Sequence, residues 1–463
     1  MMKIRVEIDF SSYWQRIKAA VYRNPWIFLF LAFLFAAHMI QIAFPSDGSM
    51  IFDEAHYVPA SLSTLQGIGA NAEHPPLPKI IGAIGIGLLG NNWFGWRFPQ
   101  VLIQIAALYV FYLIARRFLG DPWALGATML LGLDTVFFIH GGALLIDMPA
   151  FLFCFLAFEL YFRKHYRMSA TAMGLAFLSR EMSLFYFLVL ATYHLAANWN
   201  WKSFKSMKPA LKLGLKYSLL CLLVFGGTLW AYDLAYRPVQ STSITNYVNA
   251  NIIIGPNGTA ITTIYTTVQS ISNDYIWNPI QHLEFIYRYH GPQGMIINET
   301  YRPYQYAWNW VLPIDVHPNL QVGFDPFNSP TYYRVDVAVS QGSIVNHYIP
   351  IWYQAQANLA LWYAIWPAIV GLAWAFIKKR ERLTALLLAV GIAANFSPWL
   401  ALSILVRRIG FNYYMIYTLP FIALAAAFTW RELPEKYGGK VLALNLLVAL
   451  VFFLYFFPVH PMP

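Results

Sequence analysis

Long apolar runs recur along most of this chain, and they constrain its fold more than any other feature. A helix needs about 20 apolar residues to cross a bilayer. Runs near that length lie at residues 26–44, 98–115, 123–138, 148–162, 213–235, 359–377, 383–396, 411–429 and 441–457. A longer run at residues 169–197 is interrupted by Ser179, Arg180 and Glu181, and we interpret it as two spans meeting at this break. The pattern predicts a polytopic α-helical membrane protein with about 11 transmembrane helices.

The composition supports this class and excludes others. The 463 residues are 59% hydrophobic and only 11% charged, whereas a soluble domain has about 25% charged residues. A cytosolic enzyme, a disordered chain and a secreted disulfide scaffold are therefore excluded, and both cysteines, Cys154 and Cys221, lie in apolar stretches. The net charge of +10 could indicate a nucleic-acid partner. We predict none, because the basic residues lie at the ends of apolar runs, where membrane topology explains them.

The distribution of basic residues predicts the orientation. The basic segment before residue 26 could belong to a signal peptide, but no small-residue cleavage site follows Phe44. We therefore predict an uncleaved first span, an inner N terminus and an outer C terminus. Most lysines and arginines then lie inside and most carboxylates outside, as the positive-inside rule requires. The predicted outer cations are Lys79, Arg97, Arg180, Arg237, Arg288, Arg302, Arg334, Arg407 and Arg408.

Three parts follow from this topology. Residues 1–235 form an N-terminal membrane module of seven spans, with a first outer loop at 45–97. Residues 236–354 form a larger extracytoplasmic loop domain of mixed structure, and residues 355–463 form a C-terminal membrane module of four spans. Residues 80–89 are too short and glycine-rich to span, so we predict an interfacial helix on the outer face. The glycosylation sequons at Asn257 and Asn298 also fall outside.

The first outer loop contains the most informative polar residues. Asp53 and Glu54 follow the first span directly, with His56 close behind, and His74 and Lys79 come later in the same loop. Two adjacent carboxylates at a membrane surface are costly unless they are solvated or paired. A structural alternative is that Asp53 caps the helix that follows it, because Asp is a favoured N-cap residue.

Other charged residues fall on the same predicted face. Cations at this interface could bind a phosphate group, and a carboxylate beside them could act as a general base. The alternative for the two arginines near residue 407 is snorkelling of long side chains. Within the spans, Asp134 could make a structural hydrogen bond or support the site, and Glu159 is interpreted as structural. The outer residues in question are Asp147, Arg180, Glu181, Arg407 and Arg408.

The motifs resemble those of the protein O-mannosyltransferases, membrane enzymes of the glycosyltransferase C-type fold. More distant relatives are the bacterial lipid A aminoarabinose transferases. The likeness lies in Phe52-Asp53-Glu54-Ala55-His56-Tyr57, His74-Pro75-Pro76-Leu77-Pro78-Lys79, Trp96-Arg97-Phe98, Leu133-Asp134, Leu144-Leu145-Ile146-Asp147, the segment ending in Ser179-Arg180, Trp308-Asn309-Trp310 and Phe411-Asn412-Tyr413-Tyr414. The chain departs from the family pattern at Gly142, Arg180 and Tyr414, and it lacks the MIR domain of the eukaryotic members. A short chain without that domain looks archaeal.

The resemblance implies an inverting glycosyltransferase. It would move a sugar, mannose in this family, from a polyprenyl (dolichyl) monophosphate to Ser/Thr hydroxyls of proteins on the outer face of the cell membrane. It implies that Asp53 is the base, that Glu54 orients Asp53 or the acceptor, and that membrane lipids surround a protein that could dimerise. The donor phosphate would be held by Lys79, Arg180, Arg407 and Arg408. Supporting or substrate-binding roles fall to His56, His74, Arg97, Asp147, Glu181, Tyr413 and Tyr414.

Three alternatives stay open at this point. Asp53, Glu54, His56 and His74 could bind a divalent metal, although a lysine–arginine clamp needs no cofactor. The acceptor could be a glycan or a lipid instead of a protein. A transporter without covalent chemistry is the alternative from another class. Polar residues at the membrane midplane, broken helices and repeats would favour it.

Overall fold

The computed structural model describes residues 24–44, 50–199, 204–254, 260–290, 306–312, 314–316, 322–324, 331–333, 335–336, 351–407, 410–457 and 459–461. Most of these residues are helical. Up to the large outer segment the elements are α1 (Pro25–Ile42), β1 (Met50–Ile51), α2 (Glu54–Leu65), α3 (Leu77–Leu89), α4 (Trp93–Leu119), α5 (Trp123–Gly132), α6 (Thr135–Gly141), α7 (Asp147–Phe162), α8 (Tyr166–Ser179), α9 (Ser183–Ala197) and α10 (Phe204–Ala235).

The segment at residues 236–354, here called the large outer segment, and the C-terminal part follow. Their elements are β2 (Val239–Ile254), β3 (Ala260–Ile276), α11 (Pro279–His290), β4 (Ile314–Val316), β5 (Val322–Phe324), β6 (Thr331–Tyr333), β7 (Val335–Asp336), β8 (Ile351–Ala355), α12 (Leu359–Trp362), α13 (Ile365–Ile377), α14 (Arg382–Leu405), α15 (Leu419–Glu432), α16 (Glu435–Tyr455) and β9 (Val459–Pro461). Two short 3₁₀-helices lie at Ala307–Trp310 and Asn412–Tyr417.

Six helical segments of the described chain are long and apolar enough to cross a membrane. They are α1, α4, α10, α12 together with α13, α14 and α16. The pair α5 and α6, bent by 72°, would make a seventh. The other predicted runs fold as α7, α8, α9 and α15, helices of 14 to 16 residues that are short for a full crossing. A multi-pass helical membrane protein is thus confirmed, and the count of 11 spans stays a prediction.

The bend between α5 and α6 lies at Asp134. Its carboxylate accepts a hydrogen bond from the Phe137 backbone N–H at 2.9 Å, so it caps α6. The Trp362 indole N–H donates to the other oxygen at 2.7 Å. A buried carboxylate with these two partners is satisfied without contacting a substrate. Of the two roles considered for Asp134, the structural one is therefore what the contacts show.

The core of the membrane part is built around α15. Every residue from Leu419 to Thr429 is buried in this helix, and it packs against α5, α13 and α14. On the N-terminal side, α7 packs against α4 and α8. A helix that is apolar on all sides is expected to be enclosed by other helices. This packing fixes the ends of α7, α8 and α15. These helix ends in turn position the polar residues of the candidate site.

The glycine-rich segment of the first outer loop forms α3, as predicted, and its glycines have a packing role. A β-carbon at Gly85 would lie 2.6 Å from the carbonyl oxygen of Gly95, the residue at the start of α4. Only a residue without a side chain allows this close approach of the two backbones. α3 therefore packs tightly against α4, and it also contacts α2.

The outer segment at 236–354 contains strands and a helix in its described part. β2 and β3 form a long antiparallel hairpin in which Val239 pairs with Ile276. β7 pairs with β1 of the first outer loop, and β6, β8 and β9 form an antiparallel sheet with β8 in the centre. The outer segment is thus joined by strand pairing to both membrane modules. The sequons at Asn257 and Asn298 lie outside the described residues.

Candidate active site

A cleft of about 650 Å³ has Asp53 on its wall. It is lined by residues from the first outer loop, the break between α8 and α9, the end of α11 and the C-terminal module. Its lining residues are Phe52, Asp53, His56, His74, Arg180, Glu181, Met182, Phe185, Tyr289, His290, Pro398, Trp399, Leu402, Phe411, Tyr413 and Tyr414. The structure thus brings together Asp53, His56, His74, Arg180, Glu181, Tyr413 and Tyr414 from the predicted set.

Asp53 occupies the N-cap position of α2, but its side chain makes no capping hydrogen bond. The structural alternative for this carboxylate is therefore wrong. The preceding residue, Phe52, has a left-handed backbone with φ of 52°, which a bulky residue seldom adopts. The Phe52 ring packs edge-on against Tyr413 with centroids 5.4 Å apart. This contact anchors the turn that presents Asp53 to the cleft.

Burial raises the pKa of Asp53 above the ordinary value for an aspartate, although nearby His56 and Arg180 oppose this shift. A raised pKa makes a carboxylate a stronger base, provided that it is ionised at the working pH. Asp53 thus combines access to the cleft with the electrostatics expected of a general base.

Arg180 is the only lysine or arginine among the described residues that line the cleft. It lies between α8 and α9, where the helices separate. Its Nη1 lies 3.4 Å from Oδ1 of Asp147, and its Nε lies 3.4 Å from Oε1 of Glu181. Asp147 is itself held by His140 Nδ1 at 2.7 Å and by the Tyr417 hydroxyl at 2.7 Å. Asp147 therefore positions Arg180 but does not itself line the cleft.

His140 and Tyr417 are partners that the sequence analysis missed. His140 lies seven residues before Asp147 in an apolar run. A polar residue there could have marked it as a partner.

Glu54 was predicted to orient either Asp53 or the acceptor, and its contacts fit the first of these roles. It is fully buried, and its Oε2 lies 2.8 Å from Nη2 of Arg97, which is also fully buried. Arg97 Nε donates to Glu54 Oε1 at 3.0 Å, and the backbone N–H groups of Ile51 and Leu144 donate to the same carboxylate. Glu54 is not among the residues lining the cleft. It is a positioning residue for the loop that carries Asp53, and Arg97 acts through it.

Lys79 does not have the position expected for its predicted role as a phosphate ligand. It is fully buried, and its ammonium group donates to the carbonyl oxygens of Asn71 and His74. Burial lowers the pKa of Lys79 to about 7. Lys79 is not part of the cleft wall, so its contacts shape the loop around His74.

The remaining predicted phosphate ligands are Arg407 and Arg408. Arg407 is exposed and has a left-handed backbone with φ of 50°, and it does not line the cleft. Arg408 lies outside the described residues, so its predicted role stays a prediction. Within the described chain, the positive charge that faces the cleft therefore comes from Arg180, with the histidines as further titratable groups.

The histidines of the cleft are grouped differently from the predicted metal set. His74, Glu181 and His290 offer ligand atoms that all lie within 4.8 Å of one another, whereas Asp53 and His56 are not in this group. Burial lowers the pKa of His74 to about 4. Burial alone would raise the pKa of Glu181, but the Arg180 guanidinium and His74 hold it well below its usual range. His290 was missed because it lies far along the chain, at the end of α11.

The sequence comparisons agree with the motifs. Residues 73–230 match the family model described as dolichyl-phosphate-mannose-protein mannosyltransferase. A polyprenol-phosphate-mannose–protein mannosyltransferase of Mycolicibacterium smegmatis is 32% identical over 129 residues, which are 26% of this chain and 25% of that protein. The alignment thus spans a quarter of the length of that relative. The enzyme of the same name from Corynebacterium glutamicum is 23% identical over 428 residues, covering 84% of this chain and 78% of that protein.

The structural comparisons cover nearly the whole chain. The protein O-mannosyltransferase Pmt1–Pmt2 complex of S. cerevisiae, bound to the sugar donor, is similar with a TM-score of 0.66 at 11% identity. That match covers 94% of this chain and 89% of the yeast chain. ArnT of Cupriavidus metallidurans, bound to undecaprenyl phosphate, matches with a TM-score of 0.53 at 15% identity, over 90% of this chain and 62% of that one.

These likenesses confirm the fold expected from the motifs. They do not bear on the archaeal origin, which stays a prediction. Three observations now agree: the motifs around Asp53 and His74, the matched segment 73–230, and the shared architecture over nearly the full length. The chain therefore has the glycosyltransferase C-type fold, and its sequence resembles the family of dolichyl-phosphate-mannose-protein mannosyltransferases.

Proposed function

We propose that this protein is a membrane mannosyltransferase. It transfers mannose from a polyprenyl monophosphate donor to Ser/Thr hydroxyls of a protein acceptor. The reaction takes place on the outer face of the cell membrane, where the predicted topology puts the cleft. The curated relatives carry this activity in their names. The observation that carries the proposal is local: a half-buried carboxylate, Asp53, and a cation, Arg180, line the same cleft.

The reaction needs a base on one side of the sugar and a cation on the other. A hydroxyl is a weak nucleophile, and a carboxylate that accepts its proton lowers the barrier. In the proposed step the acceptor proton passes to Asp53 as the hydroxyl oxygen bonds to C1 of mannose. The bond between C1 and the phosphate oxygen breaks, and its electron pair leaves on the polyprenyl monophosphate. A single displacement of this kind inverts the configuration at C1.

The departing phosphate gains negative charge, which Arg180 is placed to stabilise. A guanidinium presents several N–H donors in a fixed plane, which suits phosphate oxygens. Asp147 and Glu181 hold this side chain before substrate binds, so little reorganisation is needed during the reaction. Arg408, if it reaches the cleft as the motifs predict, would be a second phosphate ligand.

The aromatic wall of the cleft supports a carbohydrate substrate. Trp399 and Tyr414 stack with ring centroids 4.2 Å apart, and Phe411 stacks on Tyr413 at 5.5 Å. Such rings offer flat apolar faces, and tyrosines add hydroxyl groups at their edges. A sugar ring with apolar C–H faces and polar rims is complementary to this surface.

The test is a transfer assay with purified protein in vesicles. The donor is dolichyl-phosphate-[3H]mannose, the acceptor is a Ser/Thr-rich peptide, and label is followed in peptide, lipid, glycan and free sugar. We expect label in the peptide for the wild type and a loss of about 100- to 10,000-fold for Asp53→Asn. The matched control is Asp121→Asn, which removes a carboxylate paired with Arg116 outside the cleft. It should retain transfer.

Each other outcome has a defined meaning. Label in a lipid or glycan fraction would replace the protein acceptor while keeping the donor chemistry. Full activity of Asp53→Asn would contradict the assignment of the base. Absence of both donor binding and transfer, in protein shown to be folded, would overturn the proposal and favour a transporter.

A further inference from the structure

A compact group of three side chains forms part of the cleft wall on the outer face. His74 Nδ1 lies 3.5 Å from Glu181 Oε2, and His290 Nε2 lies 3.6 Å from Glu181 Oε1. The two imidazole rings have centroids 4.8 Å apart. The three residues come from separate segments, namely the first outer loop, the break between α8 and α9, and the end of α11.

These separations are close to those of ligands around one metal ion. Zinc bound to histidine nitrogen and carboxylate oxygen has bond lengths of about 2.0–2.2 Å, which puts tetrahedral ligands about 3.3–3.6 Å apart. The separations of 3.5 Å and 3.6 Å involve different oxygens of Glu181, and the ligand atoms of all three residues lie within 4.8 Å of one another. The group would therefore contract slightly around a bound ion. Two imidazoles and one carboxylate are also a ligand set that zinc commonly binds.

The surrounding contacts orient the ligands. Arg180 Nε lies 3.4 Å from Glu181 Oε1, so the carboxylate is already held by a cation outside the group. His290 Nε2 lies 3.1 Å from the carbonyl oxygen of Glu73, next to His74 in sequence. To bind a metal, this nitrogen would give up that contact and carry its proton on Nδ1 instead. The Arg180 contact to Glu181 can persist beside a bound metal, and second interactions of this kind commonly orient metal ligands.

We propose that His74, Glu181 and His290 bind one divalent cation, with Zn²⁺ the best match. Three protein ligands leave a fourth position open. All three ligands line the cleft, so an oxygen of a bound substrate could occupy it. The ion also connects α11 of the outer segment to both the first outer loop and the membrane helices. This site stands independently of the proposed transfer reaction.

Metal binding is tested without donor or acceptor. Purified full-length protein is stripped with chelator, exchanged into metal-free buffer and titrated with Zn²⁺ or Co²⁺, and bound metal is measured by mass spectrometry. We expect one ion per chain for the wild type and at least a 10-fold weaker affinity for His290→Ala. His165→Ala is the matched control, because His165 is exposed and lies outside this group. It should bind metal as the wild type does.

A second variant keeps the test informative if His290→Ala unfolds. His290→Cys supplies another zinc ligand, so it should retain the ion and add a thiolate-to-cobalt absorption band that the wild type lacks. Zinc should also raise the thermal unfolding midpoint of the wild type and of His165→Ala, but not that of His290→Ala. Equal zinc binding by wild type and His290→Ala, or no binding by the wild type, would overturn the proposal. Transfer activity is not needed for either result, so failure here is distinct from failure of the proposed function.

Discussion

Arg97 holds Glu54 inside the protein, with Nη2 and Oε2 2.8 Å apart and both side chains without exposed surface. Arg97 also donates to the carbonyl oxygens of Ile42 and Phe44 at the end of α1. The pair therefore joins the first span, the start of α2 and the start of α4. It fixes the segment from which Asp53 projects, although neither charge reaches the cleft.

Removing one member of this pair should destabilise the protein. In Glu54→Gln, Arg97 stays buried without its counter-charge, and such changes cost about 3–5 kcal/mol. We expect a clearly lower thermal unfolding midpoint in detergent. The double variant Glu54→Gln/Arg97→Met should recover part of this loss, because it leaves no buried unpaired charge. A variant Glu54→Gln that unfolds like the wild type yet transfers no sugar would instead restore the predicted role of Glu54 at the substrate.

The pH dependence of transfer should report Asp53. The base is active only when ionised, so kcat/KM should fall as the pH drops through the Asp53 pKa, which burial raises. The midpoint of this fall should lie above about 3.9, the ordinary value for aspartate. The charged groups that act on Asp53 are His56, Arg180, Asp147 and His140.

One variant tests whether Asp53 is the group whose protonation lowers kcat/KM at low pH. His56 lowers the Asp53 pKa, so His56→Gln should move the midpoint to higher pH. A midpoint that stays fixed in His56→Gln would argue against Asp53 as the titrating group.

Arg180 should contribute mainly to the chemical step. Loss of one preorganised group that stabilises developing charge typically costs about 100- to 1,000-fold in kcat. We expect a loss of this size for Arg180→Gln and a smaller one for Arg180→Lys, which keeps the charge but not the planar donors. Arg163→Gln serves as control, since Arg163 is exposed and pairs with Glu159 away from the cleft. Retention of most activity in Arg180→Gln would move the phosphate-binding role to another cation.

Lys79 should make stability depend on pH. The unfolded chain holds the Lys79 proton up to about pH 10.5, whereas burial in the folded state lowers its pKa to about 7. Between these values the unfolded state binds more protons, so the free energy of unfolding should rise with pH. Thermal unfolding over this interval should show the rise in the wild type and less of it in Lys79→Met. The same slope in both proteins would contradict the assignment to Lys79.

The sequence predicted which residues meet on one face better than it predicted where each side chain points. Asp53 and Glu54 are neighbours at the start of a helix, and adjacent helical residues do not share a face. When Asp53 lines the cleft, Glu54 must turn into the protein, where Arg97 meets it. The sequence alone could not decide which of the two carboxylates would turn inward.

The predicted metal set differs from the cluster in the structure for a similar reason. His56 and His74 share the first outer loop, so sequence proximity favoured them as ligands of one ion. The structure instead groups His74 with Glu181 and His290, which come from segments far away in the sequence. Burial of Lys79 was hidden for a different reason, because its partners are backbone carbonyl oxygens of its own loop, which any residue could provide.

The cleft has walls from both halves of the chain. Asp53 and Arg180 come from the N-terminal half, whereas Trp399 and Tyr414 come from the C-terminal half. If the chain were cut in the large outer segment, neither fragment would contain the complete cleft. During synthesis, the cleft therefore stays incomplete until the C-terminal helices have been inserted beside the N-terminal ones. The transfer reaction proposed for this cleft would become possible only late in synthesis, when Trp399 and Tyr414 have joined Asp53 and Arg180.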